Sequence, residues 1–122
     1  MVHRVTRENY LTFVSEREFA AIHFDAHWDV GHRPPTRRAM QAAAEELSHL
    51  VSFGEVDVDA AVELARAIEI ANVPLVAYYH RGELKAALIG TDQNVTERLR
   101  LLMKDRPIGY KDGTIKLALE EF

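Results

Sequence analysis

The sequence predicts an α/β fold: a central mixed β-sheet with helices on both faces, followed by a C-terminal extension. Two observations predict it. Segments whose apolar residues alternate take turns with segments whose apolar residues recur at helical spacing. A tight-turn sequence, His80-Arg81-Gly82-Glu83, then joins two apolar runs in the manner of a hairpin. Two βαβ passages, a hairpin and a closing helix give the order β-α-β-α-β-α-β-β-α, which packs as helices on either side of a mixed sheet.

Val2 to Val5 is a short strand. Thr6 offers an N-cap hydroxyl for a helix through about Val14, with Tyr10, Phe13 and Val14 on one face. Phe19 to Ala26 reads as a buried strand with Ala20, Ile22, Phe24 and Ala26 at its even positions. A turn from Gly31 to Thr36 follows. Pro34 and Pro35 cannot stand inside a helix but can begin one. From there Met40, Ala43, Ala44, Leu47, Leu50 and Val51 repeat at helical spacing.

Phe53 to Val58 alternates as a strand. Asp59 can cap a third helix, whose face is Ala61, Leu64, Ala65 and Ile68. Asn72-Val73-Pro74 breaks that helix. Leu75 to Tyr79 and Leu84 to Ile89 are the hairpin strands. After a loop from Gly90 to Asn94, Val95, Leu99, Leu102 and Met103 define a last amphipathic helix, and Pro107 stops it. The tail is open to two readings. Ile115, Leu117 and Leu119 alternate as in a strand, while Ile115, Leu119 and Phe122 share one helical face. Residues 1–106 are thus expected to form one domain, and 107–122 an extension packed on it or extending from it.

A chain of 122 residues is long enough to bury a core without staples. Apolar residues make up 48% and charged residues 28%, the balance of a soluble globular protein. A net charge of −4 argues against a nucleic-acid partner, which calls for a basic excess. No stretch approaches ~18 consecutive apolar residues, so no membrane span is expected. The N-terminal residues reach Arg4, Arg7 and Glu8 at once, without the apolar run of a secretory signal, and a cytoplasmic location is the default expectation.

Several segments resemble the thioredoxin family over roughly Val2 to Met103. Phe24-Asp25-Ala26-His27-Trp28 is similar to the strand that leads into the family's active site. Glu55-Val56-Asp57-Val58-Asp59 resembles the next strand and its acidic exit. Val73-Pro74 resembles the loop with the family's cis-proline, Tyr78 to Glu83 the hairpin turn, and Gly90 the glycine after the last strand. The resemblance implies a thioredoxin-like fold.

It also marks what is missing. Trp28-Asp29-Val30-Gly31-His32-Arg33 stands where a thioredoxin carries Trp-Cys-Gly-Pro-Cys-Lys, and the chain contains no cysteine. By the same resemblance, His23 takes the place of the buried acid that assists proton transfer, and Leu75 replaces the familiar threonine after the cis-proline. Dithiol exchange needs an attacking thiolate and a resolving sulfur. Neither Asp29 nor His32 supplies one, so no disulfide oxidoreductase activity and no cofactor are expected.

Three constellations could carry function. His23, Asp25 and His27 fall on one face of an extended strand, with Asp29 and His32 in the adjoining turn. Imidazole and carboxylate suit zinc and other first-row divalent metals. Neighbours on one strand face lie about 6.5–7 Å apart, however, which favours a structural, hydrogen-bonded His23 over a ligand. Asp29 and His32 could form a general base or simply cap the helix that follows. Arg33, Arg37 and Arg38 could attract an anion, or form a solvated face balanced by Glu45 and Glu46.

Last, an extended peptide can pair with the backbone before a cis-proline without any cysteine. The leading expectation is therefore a non-redox protein that binds a protein or peptide through Trp28, Asp29, Val30, Gly31, His32, Val73 and Pro74. The alternatives are a small metal-binding or hydrolytic protein built on His23, Asp25, His27, Asp29 and His32, and a homo-oligomer subunit that uses an edge strand or the tail.

Overall fold

The computed structural model describes residues 1–26, 33–67, 73–90, 94–106 and 108. Its elements are β1 (Val2–Arg4), α1 (Tyr10–Ser15), β2 (Phe19–Asp25), α2 (Arg33–Leu47), β3 (Val51–Asp57), α3 (Val62–Ala67), β4 (Leu75–His80), β5 (Glu83–Ile89) and α4 (Val95–Met103). The order is the one the periodicity predicts. The strands form one sheet in the order β1-β3-β2-β4-β5. β3 runs parallel to both β1 and β2, while β4 is antiparallel to β2 and to β5.

The sheet separates two apolar layers. On one face Phe19, Ala21, Val51, Phe53, Val76 and Tyr78 meet Met40, Ala43, Ala44 and Leu47 of α2 and Leu99 of α4. On the other, Ala20, Ile22, Phe24, Val56, Ala77 and Tyr79 meet Tyr10, Phe13 and Val14 of α1 and Leu64 of α3. β2 sits at the centre with all seven residues buried. Its odd positions are as deeply placed as the even ones, because a central strand is covered on both faces. Among the described residues, no helix is long and apolar enough to cross a membrane.

Local chemistry moves several boundaries. α1 starts at Tyr10 rather than at a Thr6 cap, because Asn9 Oδ1 accepts the Thr6 N–H at 2.8 Å and holds the chain in a turn. α2 ends at Leu47. Val51 opens β3 and is buried there, whereas Leu50 is 47% exposed, so neither extends the helical face. Asp57, not Asp59, organises the approach to α3. Its carbonyl accepts from Ala60 and Ala61, and its carboxylate accepts the Asp59 N–H at 3.0 Å. α4 is capped by Asn94, whose side chain accepts the Glu97 N–H, and it ends at Met103. Lys104 caps that end, and Asp105 then turns left-handed with φ 55°, before Pro107 is reached. Pro107, expected to stop the helix, lies outside the described residues.

Two glycines are required by this geometry. A Cβ at Gly54 would stand 2.6 Å from Val5 Cγ2 and 2.8 Å from Phe13 Cε1, so the bare backbone lets α1 press against β3. Gly82 (φ 82°) follows Arg81 (φ 52°) in the two-residue turn between the paired residues His80 and Glu83. Successive positive φ values match the twist of a tight hairpin.

The start of the extension belongs to the core. Ile108 is buried in the layer under α2 and α4, and Arg98 Nη1 of α4 donates to its carbonyl at 2.6 Å. The two readings of Ile115 to Phe122 lie outside the described residues.

Candidate functional site

Strands β2 and β4 adjoin at one end of the sheet. β2 runs out at Asp25 toward residues 27–32, and α2 begins directly after them at Arg33. β4 runs the opposite way and enters beside that exit, because Phe24 pairs with Leu75. Pro74 therefore arrives next to the last residues of β2. The Val73–Pro74 peptide bond is cis. Val73 is half-buried and Pro74 buried. The Pro74 carbonyl accepts the Gly90 N–H at 3.0 Å, which ties the entry of β4 to the exit of β5. The backbone bonds outside strands and helices pass Val73 by, so among the described residues its N–H and C=O are not engaged.

Of the residues singled out in the sequence, Trp28, Asp29, Val30, Gly31 and His32 lie outside the described residues, as does His27. Val73 and Pro74 are placed at the end of the sheet where β2 ends and β4 begins. His23 and Asp25 are described, and both are buried on the α2 face of β2. Strand spacing alone would keep their side chains about 6.5–7 Å apart. Instead they lean together, with His23 Nε2 at 3.8 Å from Asp25 Oδ2. Among the described residues, no three metal-type side chains converge.

The sequence reading did not bring β1 and β3 to this cluster. Register pairs Arg4 with Glu55, Glu55 with His23, and Asp57 with Asp25, so these side chains share one face of the sheet. Arg37 of α2 reaches Glu55, with Nε 3.2 Å from Oε2. The signal was available: charges at alternate positions of an otherwise apolar strand belong to one face. The expected balance of the basic helix start differs in detail. Arg37 is met by Glu55, while Glu46 instead pairs with Arg100 of α4 at 2.8 Å. Arg38 is exposed. Thr36, the hydroxyl nearest to the turn in sequence, is fully buried.

A depression of about 570 Å³ opens elsewhere, between the loop after β1 and the start of α3. An ion pair between Arg7 and Glu63, 3.3 Å long and exposed on both sides, links those two segments. It does not include Val73 or Pro74.

The family model for thioredoxin matches residues 1–104. The chain belongs to the thioredoxin family. Thioredoxin from Trypanosoma brucei brucei is similar in structure, with a TM-score of 0.76, 25% identity, and coverage of 86% of this chain and 93% of that one. Oxidised thioredoxin from Plasmodium falciparum has a TM-score of 0.70 at 21% identity, covering 86% of this chain and 97% of that one. In sequence, 86 residues are 30% identical to protein disulfide isomerase-like 1-3 of Arabidopsis thaliana. That match takes in 70% of this chain but only 15% of the much longer relative. The five-stranded mixed sheet flanked by helices is thus the thioredoxin fold. This thioredoxin-family chain has no cysteine in its 122 residues.

Proposed function

We propose that this thioredoxin-family domain binds an extended protein or peptide segment without disulfide chemistry of its own. The binding surface is the end of the sheet at Val73–Pro74, with Trp28, Asp29, Val30, Gly31 and His32 as the further residues assigned to it from the sequence. Redox exchange needs sulfur on the protein, and this chain carries none at Asp29, at His32 or anywhere else. Backbone recognition needs none. The observation that carries the reading is Val73, which is half-buried beside a buried Pro74 and has neither backbone polar group engaged among the described residues. An N–H and C=O held in place by a rigid strand entry can accept a strand-like partner. Trp28 and Val30 would supply apolar contacts beside it.

The test is selection of short peptides from a random display library on the wild-type protein, followed by affinity measurement with Trp28→Ala. Loss of an aromatic anchor costs ~2 kcal/mol or more, about thirtyfold in affinity. Selected peptides that bind Trp28→Ala as tightly as wild type would contradict this assignment.

A further inference from the structure

β1 is an outermost strand of the sheet, with β3 as its neighbour. The Val5 N–H donates to the Glu55 carbonyl at 2.9 Å, so the odd residues at β1 direct their backbone groups to β3. In a parallel ladder the even residues then direct theirs outward, which puts Val2 and Arg4 on the open edge. Asn9 closes that edge at one end. Its Nδ2 donates to the Arg4 carbonyl at 3.3 Å and its Oδ1 accepts the Thr6 N–H at 2.8 Å, as a neighbouring strand would. The Val2 N–H and carbonyl, the Arg4 N–H and a second lone pair on the Arg4 carbonyl remain outward.

This edge complements itself. A second β1, turned about a twofold axis at His3, sets each Val2 opposite the other copy's Arg4. Both facing pairs are then of the hydrogen-bonded kind, and every outward group of Val2 and Arg4 finds a partner. Side chains add a second fit. Val2 packs on the α2 face of the sheet, and alternation puts Arg4 on the same face. Beside Val2 lies a depression of about 400 Å³. Met40 and Ala44 line it for an arginine stem and Glu45 for its charge, while Arg37 and Glu55, which also line it, are bound to each other. Twofold pairing brings the other copy's Arg4 alongside Val2, at this depression. Arg4 and Glu45 are both exposed, and among the described residues neither has an ion-pair partner in its own chain.

We propose that the protein associates with a second copy of itself by antiparallel pairing of β1, with each Arg4 meeting Glu45 of the other copy. The same patch serves on both copies, the form a closed twofold interface takes. The two sheets become one, continuous across the axis. Met1, 81% exposed and beside the same depression, is covered by the contact. With a three-residue strand at its centre the contact is small, so the dimer forms reversibly with concentration. β3 and β2 stand between β1 and β4, so Val73–Pro74 stays uncovered. The association is independent of the function proposed above and is measured without any peptide.

Sedimentation equilibrium of the full chain tests it. The average mass should rise from that of one chain toward that of two between about 10 μM and about 1 mM, the range in which a small contact associates. A one-chain mass at the upper concentration would overturn the proposal. Amide exchange locates the contact. The Val2 and Arg4 amides should slow as concentration rises, and a dimer that leaves both unprotected would use another face and overturn it as well.

Charge exchange tests the pairing of side chains. Arg4→Glu should weaken association about tenfold, because it turns both ion pairs into repulsions, and Glu45→Arg should do the same. The two substitutions together in one chain restore opposite charges across the axis and should recover the wild-type mass. Both side chains are exposed, so the fold tolerates the changes. Single variants that associate as the wild type does, or a double variant as weak as either single one, would overturn the assignment.

Discussion

The hydroxyls of Tyr10 and Tyr79 lie 2.8 Å apart in the interior, joining α1 to strand β4 by a buried hydrogen bond. Their rings meet edge to face, with centroids 6.2 Å apart and planes at 78°. The pair anchors a helix of only six residues, too short to be stable without tertiary contacts. Tyr10→Phe removes the hydrogen-bond partner of the buried Tyr79 hydroxyl, Tyr79→Phe breaks the same bond from the other side, and either should cost ~1–3 kcal/mol. The double variant should cost less than the sum of the two, because both polar groups are then removed. Urea unfolding of the four proteins completes the cycle, and additive losses would contradict a coupled pair.

The same burial sets an alkaline limit. Desolvation pushes the Tyr10 pKa up to about 12, against a smaller lowering by the bond from Tyr79. Tyr79 is raised well above 10.0 by burial, reinforced by Tyr10. A folded pKa above the unfolded one means that the stability is fully present below about pH 10 and is lost as pH rises through the folded values. The urea midpoint should therefore hold up to about pH 10 and fall between there and pH 12, by up to roughly 1.4 kcal/mol per pH unit for each phenol. Phenolate absorbance should appear with unfolding rather than before it.

Gly54→Ala should destabilise the protein by ~1–3 kcal/mol, because the added methyl would overlap Val5 and the Phe13 ring. A neutral result in urea unfolding would mean that α1 stands further from β3 than the structure places it.

Ile108→Ala tests whether the domain ends before the tail. The side chain is 5% exposed in the core layer under α4. Its truncation should cost ~2–5 kcal/mol, the range for a buried isoleucine cut back to alanine. No loss would detach the extension from the fold.

The element order was legible because each element keeps its own period, two for the strands and 3.6 for the helices. Boundaries failed where one period imitates another. Leu50 and Val51 continue the spacing of Met40 and Leu47, yet the chain turns after Leu47 through a Leu50 N–H bond to the Leu47 carbonyl at 2.9 Å. Thr6 looked like a cap because threonine caps helices, but Asn9 took its N–H into a turn. A glycine within a strand, Gly54, signalled a close backbone approach, but not which helix would make it.

The candidate site was legible in part. Alternation put His23 and Asp25 on one face of one strand. Their approach to 3.8 Å comes from side chains that lean together within one strand, while the arrival of Glu55, Asp57 and Arg4 from neighbouring strands follows from register. One sequence alone does not encode that register locally.

Insulin disulfide reduction should proceed no faster with this protein than in a protein-free blank, since the chain supplies no thiolate. Turnover above the blank would contradict a non-redox role.

Backbone amide NMR, during titration with the tightest selected peptide, tests the binding surface most directly. The Val73 amide should show the largest shift, and its hydrogen exchange should slow as it gains a strand-type hydrogen bond. A Val73 amide that stays unmoved while shifts gather on another face of the domain would contradict the account.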